Sequence, residues 1–128
     1  MRDIPTWRKE LFDEIRTISN RNELEQLWMG TDLKFCSSYS EEVEHIFDDF
    51  NIRGFLSLKS EQSGLTPTQR LMLQKFCDEF TNYVQYTNRE HKGMPDPEVV
   101  LSDPRWSRII SLAQAFVRLI DEETNNEL

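Results

Sequence analysis

Residues 103–120 read DPRWSRIISLAQAFVRLI, and this stretch constrains the fold more than any other. Asp103 followed by Pro104 places a capping carboxylate ahead of a residue whose fixed φ suits the first helical position. Trp106, Ile109, Ile110, Ala113, Phe116, Val117 and Ile120 then recur with helical spacing for about four turns. An apolar face of that length has to be covered by other elements, so the pattern predicts the central helix of a helical core. From Asp121 onward the chain is polar and acidic, and we expect a frayed tail from about residue 122.

Other segments carry the same kind of signal. Pro5 opens a helix expected to reach about Ser19, with Ile4, Trp7, Leu11, Ile15 and Ile18 as its inner stripe. Asn22 with Glu25 resembles a capping box for a short second helix, which turns Leu24, Leu27 and Trp28 inward and stops near Gly30. A loop is expected over 30–37. Thr66, Pro67 and Gln69 combine a cap, a first-position Pro and a capping-box partner, and predict a helix to about Tyr86. Its inner stripe is Leu73, Phe76, Cys77, Phe80 and Val84. NREHKGMPDP, residues 88–97, reads as a connecting loop. The FLSL run at 55–58 is too short to separate a strand from extended chain, so 53–65 is left irregular, with a short hairpin as the alternative. The expected fold is mainly α: one domain over residues 1–128, a bundle of about five helices.

Composition narrows the function classes. With 38% hydrophobic residues, eight Phe and three Trp among 128 residues, the chain has material for a single core. No apolar run approaches the roughly 20 residues needed to span a bilayer, and MRDIPTWRKE lacks the apolar stretch of a secretory signal, so a cytoplasmic protein is expected. Cys36 and Cys77 have neither disulfide-framework nor zinc-site spacing. The net charge of −8 disfavours nucleic acid and anionic membranes, because phosphate binding needs clustered Lys and Arg. It favours encounter with a basic protein.

That charge is concentrated. Residues 35–64 hold six carboxylates against Arg53 and Lys59, a local excess of −4 that is half of the total. Most of it falls in SEEVEHIFDDF, residues 40–50. There Val43, Ile46, Phe47 and Phe50 take i, i+3, i+4, i+7 positions, with Ser38 as cap and Glu41 near the positive helix end. Glu41, Glu42, Glu44, Asp48 and Asp49 are expected to face outward and meet a basic partner, with Tyr39 beside them because Tyr suits interface contacts.

Enzyme signatures are largely absent: the chain has no G-x-S-x-G, P-loop, G-x-G-x-x-G or H-E-x-x-H, and only four Gly. Glu41, His45 and Asp49, at i, i+4, i+8 spacing, form the best candidate for a metal or acid–base site, yet lack a second ligand-bearing helix. A solvated His among carboxylates is the simpler reading. Cys36 paired with a His has no supporting local sequence. Trp7, Trp28 and Trp106 lie on apolar stripes and read as core, while Tyr83 and Tyr86 are edge residues. The expectation is a non-enzymatic protein with no metal and no cofactor.

Three segments, WRKELFDEIRTISNRNELEQLW, SYSEEVEHIFDDFNI and MPDPEVVLSDPRWSRIISLAQAF, resemble in order and spacing a family of small, acidic, largely helical bacterial proteins. Some of these act as immunity proteins in contact-dependent growth inhibition and related polymorphic toxin systems. The acidic FDDF at 47–50 and LSDPRW at 101–106 are the most distinctive parts. The resemblance implies a cytoplasmic antitoxin that binds the C-terminal toxin domain delivered by a neighbouring cell, often a nuclease that cuts transfer RNA. It transfers no catalytic residues. A carboxylate-rich helix suits the basic cleft of such a nuclease. The competing expectation is an adaptor that recognises a host protein through an apolar patch around Phe55, Leu56 and Leu58.

Overall fold

The computed structural model describes residues 3–29, 38–90 and 95–126. Helix α1 spans Ile4–Ser19, α2 Arg21–Met29, α3 Tyr39–Glu44, α4 Ile52–Leu56, α5 Ser60–Ser63, α6 Pro67–Glu90, α7 Pro97–Leu101 and α8 Pro104–Asn126, with a π-turn at His45–Asp49. The mainly α expectation holds, and there is no strand among the described residues. Nor is any described helix long and apolar enough to cross a membrane. The expected loop at 30–37, with Gly30 and Cys36, lies outside the described residues, as does His91.

The helix starts follow from local chemistry. Asp3 caps α1 by accepting from the Thr6 amide at 2.7 Å, and Thr66 and Gln69 cap each other reciprocally at the head of α6, at 3.1 and 3.0 Å. Asp103 accepts from the Arg105 amide at 2.9 Å at the head of α8. The cap of α2 is Asn20, whose Oδ1 accepts from the Glu23 amide at 3.1 Å, and not Asn22. Asn20 also ends α1, its amide donating to the Thr17 carbonyl. One residue therefore closes one helix and opens the next.

α8 is the central element, packing on both α6 and α1. Its Trp106 is fully buried, with ring centroids of Trp28, Phe80, Tyr39 and Tyr83 within 5.3–5.8 Å. On the α1 side Phe116 meets Phe12 edge-on at 5.2 Å. Each such buried side chain contributes roughly 1.5–3 kcal/mol by leaving water. Ile4 and Trp7 are only half-buried, and the inner face of α1 is Leu11, Phe12, Ile15 and Ile18. In α6, Tyr83 and Thr87 join the buried face while Val84 sits at its edge. Cys77 is a buried free thiol, pushed up in pKa chiefly by burial.

Two expectations are corrected. Residues 53–65 form neither a hairpin nor irregular chain but α4 and α5. Asn51, at φ 45°, reverses the chain and accepts from the Gly54 amide at 3.1 Å. A Cβ at Gly54 would come within 2.4 Å of the Asn51 side chain, so the cap requires glycine there. Arg70 then donates to the carbonyls of Leu56 and Leu58, strapping this segment to α6. Residues 88–97 are not all loop, since α6 continues to Glu90 and α7 begins at Pro97. α8 is helical over Pro104–Asn126. An ion pair between Arg16 and Asp121 at 2.6 Å holds its last turns against α1.

Candidate protein-binding surface

The acidic segment begins as an α-helix and ends as a π-turn. Ser38 accepts from the Glu41 amide at 3.2 Å, as its sequence position predicts. After Glu44 the turn widens, and the Phe50 amide donates to the His45 carbonyl at 2.8 Å, an i→i+5 bond. Such turns are rare and often lie at functional sites. The Trp7 indole N–H donates to the Phe50 carbonyl, fixing the end of the turn to α1. Ile46 is fully buried and Phe47 lies edge-on to Phe80 at 5.1 Å.

Of the six residues expected to contact a partner, Glu41, Glu44, Asp48 and Asp49 are exposed. Tyr39 and Glu42 are not, at 1% and 2% exposure. This corrects the sequence reading, and the reason is register. Tyr39, Glu42, Val43 and Ile46 take the i, i+3, i+4, i+7 positions, so the inner stripe starts one turn earlier than Val43 and passes through Glu42. Tyr39 is a core residue whose hydroxyl lies 3.3 Å from Thr87 Oγ1. Burial pushes its phenol up to about 12, partly offset by that hydrogen bond.

Glu42 turns toward α1, where Glu14, Glu42 and His45 each bring one ligand-type atom within 4.8 Å of the others. His45 Nδ1 is 3.3 Å from Glu14 Oε1 and its Nε2 is 4.0 Å from Asp49. The expected triple of Glu41, His45 and Asp49 is not assembled as such, because Glu41 stays in solvent and α1 supplies the missing partner. Two carboxylates and an imidazole are ligands a divalent transition metal accepts.

Among the described residues Glu41, Glu44 and Asp48 have no cationic side chain at ion-pair distance. The Arg53 guanidinium sits over the Phe47 ring, 4.6 Å from its centroid, and donates to Thr81 at 2.9 Å, so it is engaged elsewhere. Beside the carboxylates, Val43, Phe47, Arg53, Thr81, Val84 and Gln85 line a small cleft of about 200 Å³. Sequence reasoning missed it because its wall comes from α6, whose Val84 was assigned to the core. In the alternative patch Phe55 is fully buried, while Leu56 and Leu58 are half-buried against the core, as Val43, Phe47 and Val84 are.

Comparison with protein-family models, curated proteins and solved structures finds no match to this chain.

Proposed function

We propose that this chain is an immunity protein, a cytoplasmic antitoxin that binds a basic toxin domain through Glu41, Glu44, Asp48 and Asp49 and the cleft beside them. The observation that carries the reading is four exposed carboxylates on one short segment whose backbone is already fixed by buried and hydrogen-bonded anchors. A fixed surface avoids the ordering cost of binding, and like charges steer an oppositely charged partner into contact. The cleft of Val43, Phe47 and Val84 offers what the carboxylates lack, an apolar pocket for an anchoring side chain inside a polar rim. The resemblance to immunity proteins supplies the partner class: the C-terminal domain of a contact-delivered toxin, a nuclease whose cleft is basic because it holds phosphate.

The test is co-expression with the C-terminal domain of any large exported protein found encoded beside this chain, reading complex formation and growth together. A complex with restored growth supports immunity. Neither complex nor rescue with any neighbouring toxin domain contradicts it.

A further inference from the structure

A second concavity lies between the two long helices, away from the acidic segment's own residues, and its charge has the opposite sign. Glu79, Asn82, Tyr86 and Arg89 descend one face of α6, and Arg105 and Arg108 face them from α8 around a cavity of about 390 Å³. Tyr83 closes the floor, its hydroxyl donating to Asp103 at 3.1 Å. Three guanidinium groups against the lining Glu79 and the Asp103 carboxylate bound by Tyr83 and Arg105 give a formal +1 in a chain of net charge −8. Chance placement in so acidic a chain would favour the reverse.

The three arginines are not equivalent. Arg105 is held in place, stacked 4.1 Å over the Tyr86 ring and 3.5 Å from Asp103. Arg89 and Arg108 are exposed, and among the described residues neither has a carboxylate at ion-pair distance. Guanidinium forks present paired N–H donors that match the oxygens of phosphate or carboxylate, and such charge-assisted hydrogen bonds are the strong ones. The volume lies within the range of small-molecule sites. Asn82 adds a neutral amide, and Glu79 offers an acceptor that an anion alone would avoid but a hydroxyl group would satisfy.

We infer that this cleft binds a small, hydroxyl-bearing dianion, with Arg89 and Arg108 holding the charged oxygens, Arg105 and Tyr86 forming a preset wall, and Glu79 accepting from the hydroxyl. A phosphate monoester and a hydroxy-dicarboxylate share this chemistry. The site shares no lining residue with the proposed toxin-binding surface, although both draw on α6.

The test uses the whole chain and two probes, glycerol phosphate and malate, titrated by calorimetry and by thermal midpoint at ionic strength matched with sodium chloride. Saturable binding and a rising midpoint are expected for at least one probe. The tighter of the two identifies the source as phosphate ester or dicarboxylate. Arg89→Gln and Arg108→Gln should each weaken binding about tenfold. Arg118→Gln, ten residues or about 15 Å further along α8, should leave it unchanged. If either pocket variant fails to fold, Glu79→Gln still tests the site, through tighter binding of inorganic phosphate and weaker selection for the hydroxylated probe. No response beyond that to sodium chloride overturns the inference. So does an equal loss in Arg118→Gln, which would mean diffuse surface charge only.

Discussion

His45 Nδ1 and Glu14 Oε1 lie 3.3 Å apart, joining the acidic segment to α1 across 31 residues of chain. The Trp7 indole makes a second tie, to the Phe50 carbonyl. Together they bracket the π-turn, so its exposed carboxylates project from a backbone held at both ends. Replacing Trp7 with Phe removes the indole donor and keeps most of the ring. This should cost about 0.5–1.5 kcal/mol, the usual net worth of one hydrogen bond, measured as a lower urea midpoint. Faster amide exchange at Phe50 should accompany it. Unchanged exchange there would show that the tie does not hold the turn.

Phe80 touches three parts of the core, with Phe47, Phe76 and Trp106 all edge-on within 5.8 Å. Phe80→Ala should therefore destabilise by about 3–5 kcal/mol, the range for a buried aromatic replaced by a methyl group. Chemical denaturation measures this directly. Because Phe47 loses its packing partner, the variant should also weaken binding to the proposed toxin partner beyond its effect on stability.

Much of this fold was legible because helix starts announce themselves locally. Thr66 with Gln69, Ser38 with Glu41 and Asp103 with Pro104 all cap where the sequence places them. What escaped depends on contacts distant in sequence. α4 and α5 are held by Arg70 from α6, and a four- or five-residue helix has no period to read. In the site, the carboxylate pattern was readable but its register was not. Periodicity allows an inner stripe from either Tyr39 or Val43, and only packing on α1 and α6 decides. A buried Glu42 was not expected, because its neighbours Glu14 and His45 meet only after folding.

Alkaline pH should reveal the two buried tyrosines. Burial raises the Tyr39 phenol to about 12. Tyr83 is also raised, first by burial and then by the Asp103 charge and hydrogen bond. An unfolded tyrosine ionises near 10. The neutral phenols thus contribute their full stability below about pH 10, and that stability falls as pH rises toward the folded values. The loss is about 1.4 kcal/mol per pH unit for each phenol. Phenolate absorbance and far-UV ellipticity followed together should show both phenols ionising only as the helices melt. Full ionisation of all three tyrosines near pH 10 with helices intact would contradict the burial.

In the proposed complex the exposed carboxylates of 41–49 form the contact with a basic toxin domain. Its most direct test is titration of the neighbouring toxin domain with the wild-type chain and with Glu44→Lys plus Asp48→Lys, at about 50 and 200 mM salt. Both positions are exposed, so folding should be unaffected within about 0.5 kcal/mol. Raised salt should weaken wild-type binding, mainly by slowing association, and the double variant should bind at least tenfold more weakly with most of the salt dependence gone. Equal affinity of the two proteins at both salt concentrations would contradict it.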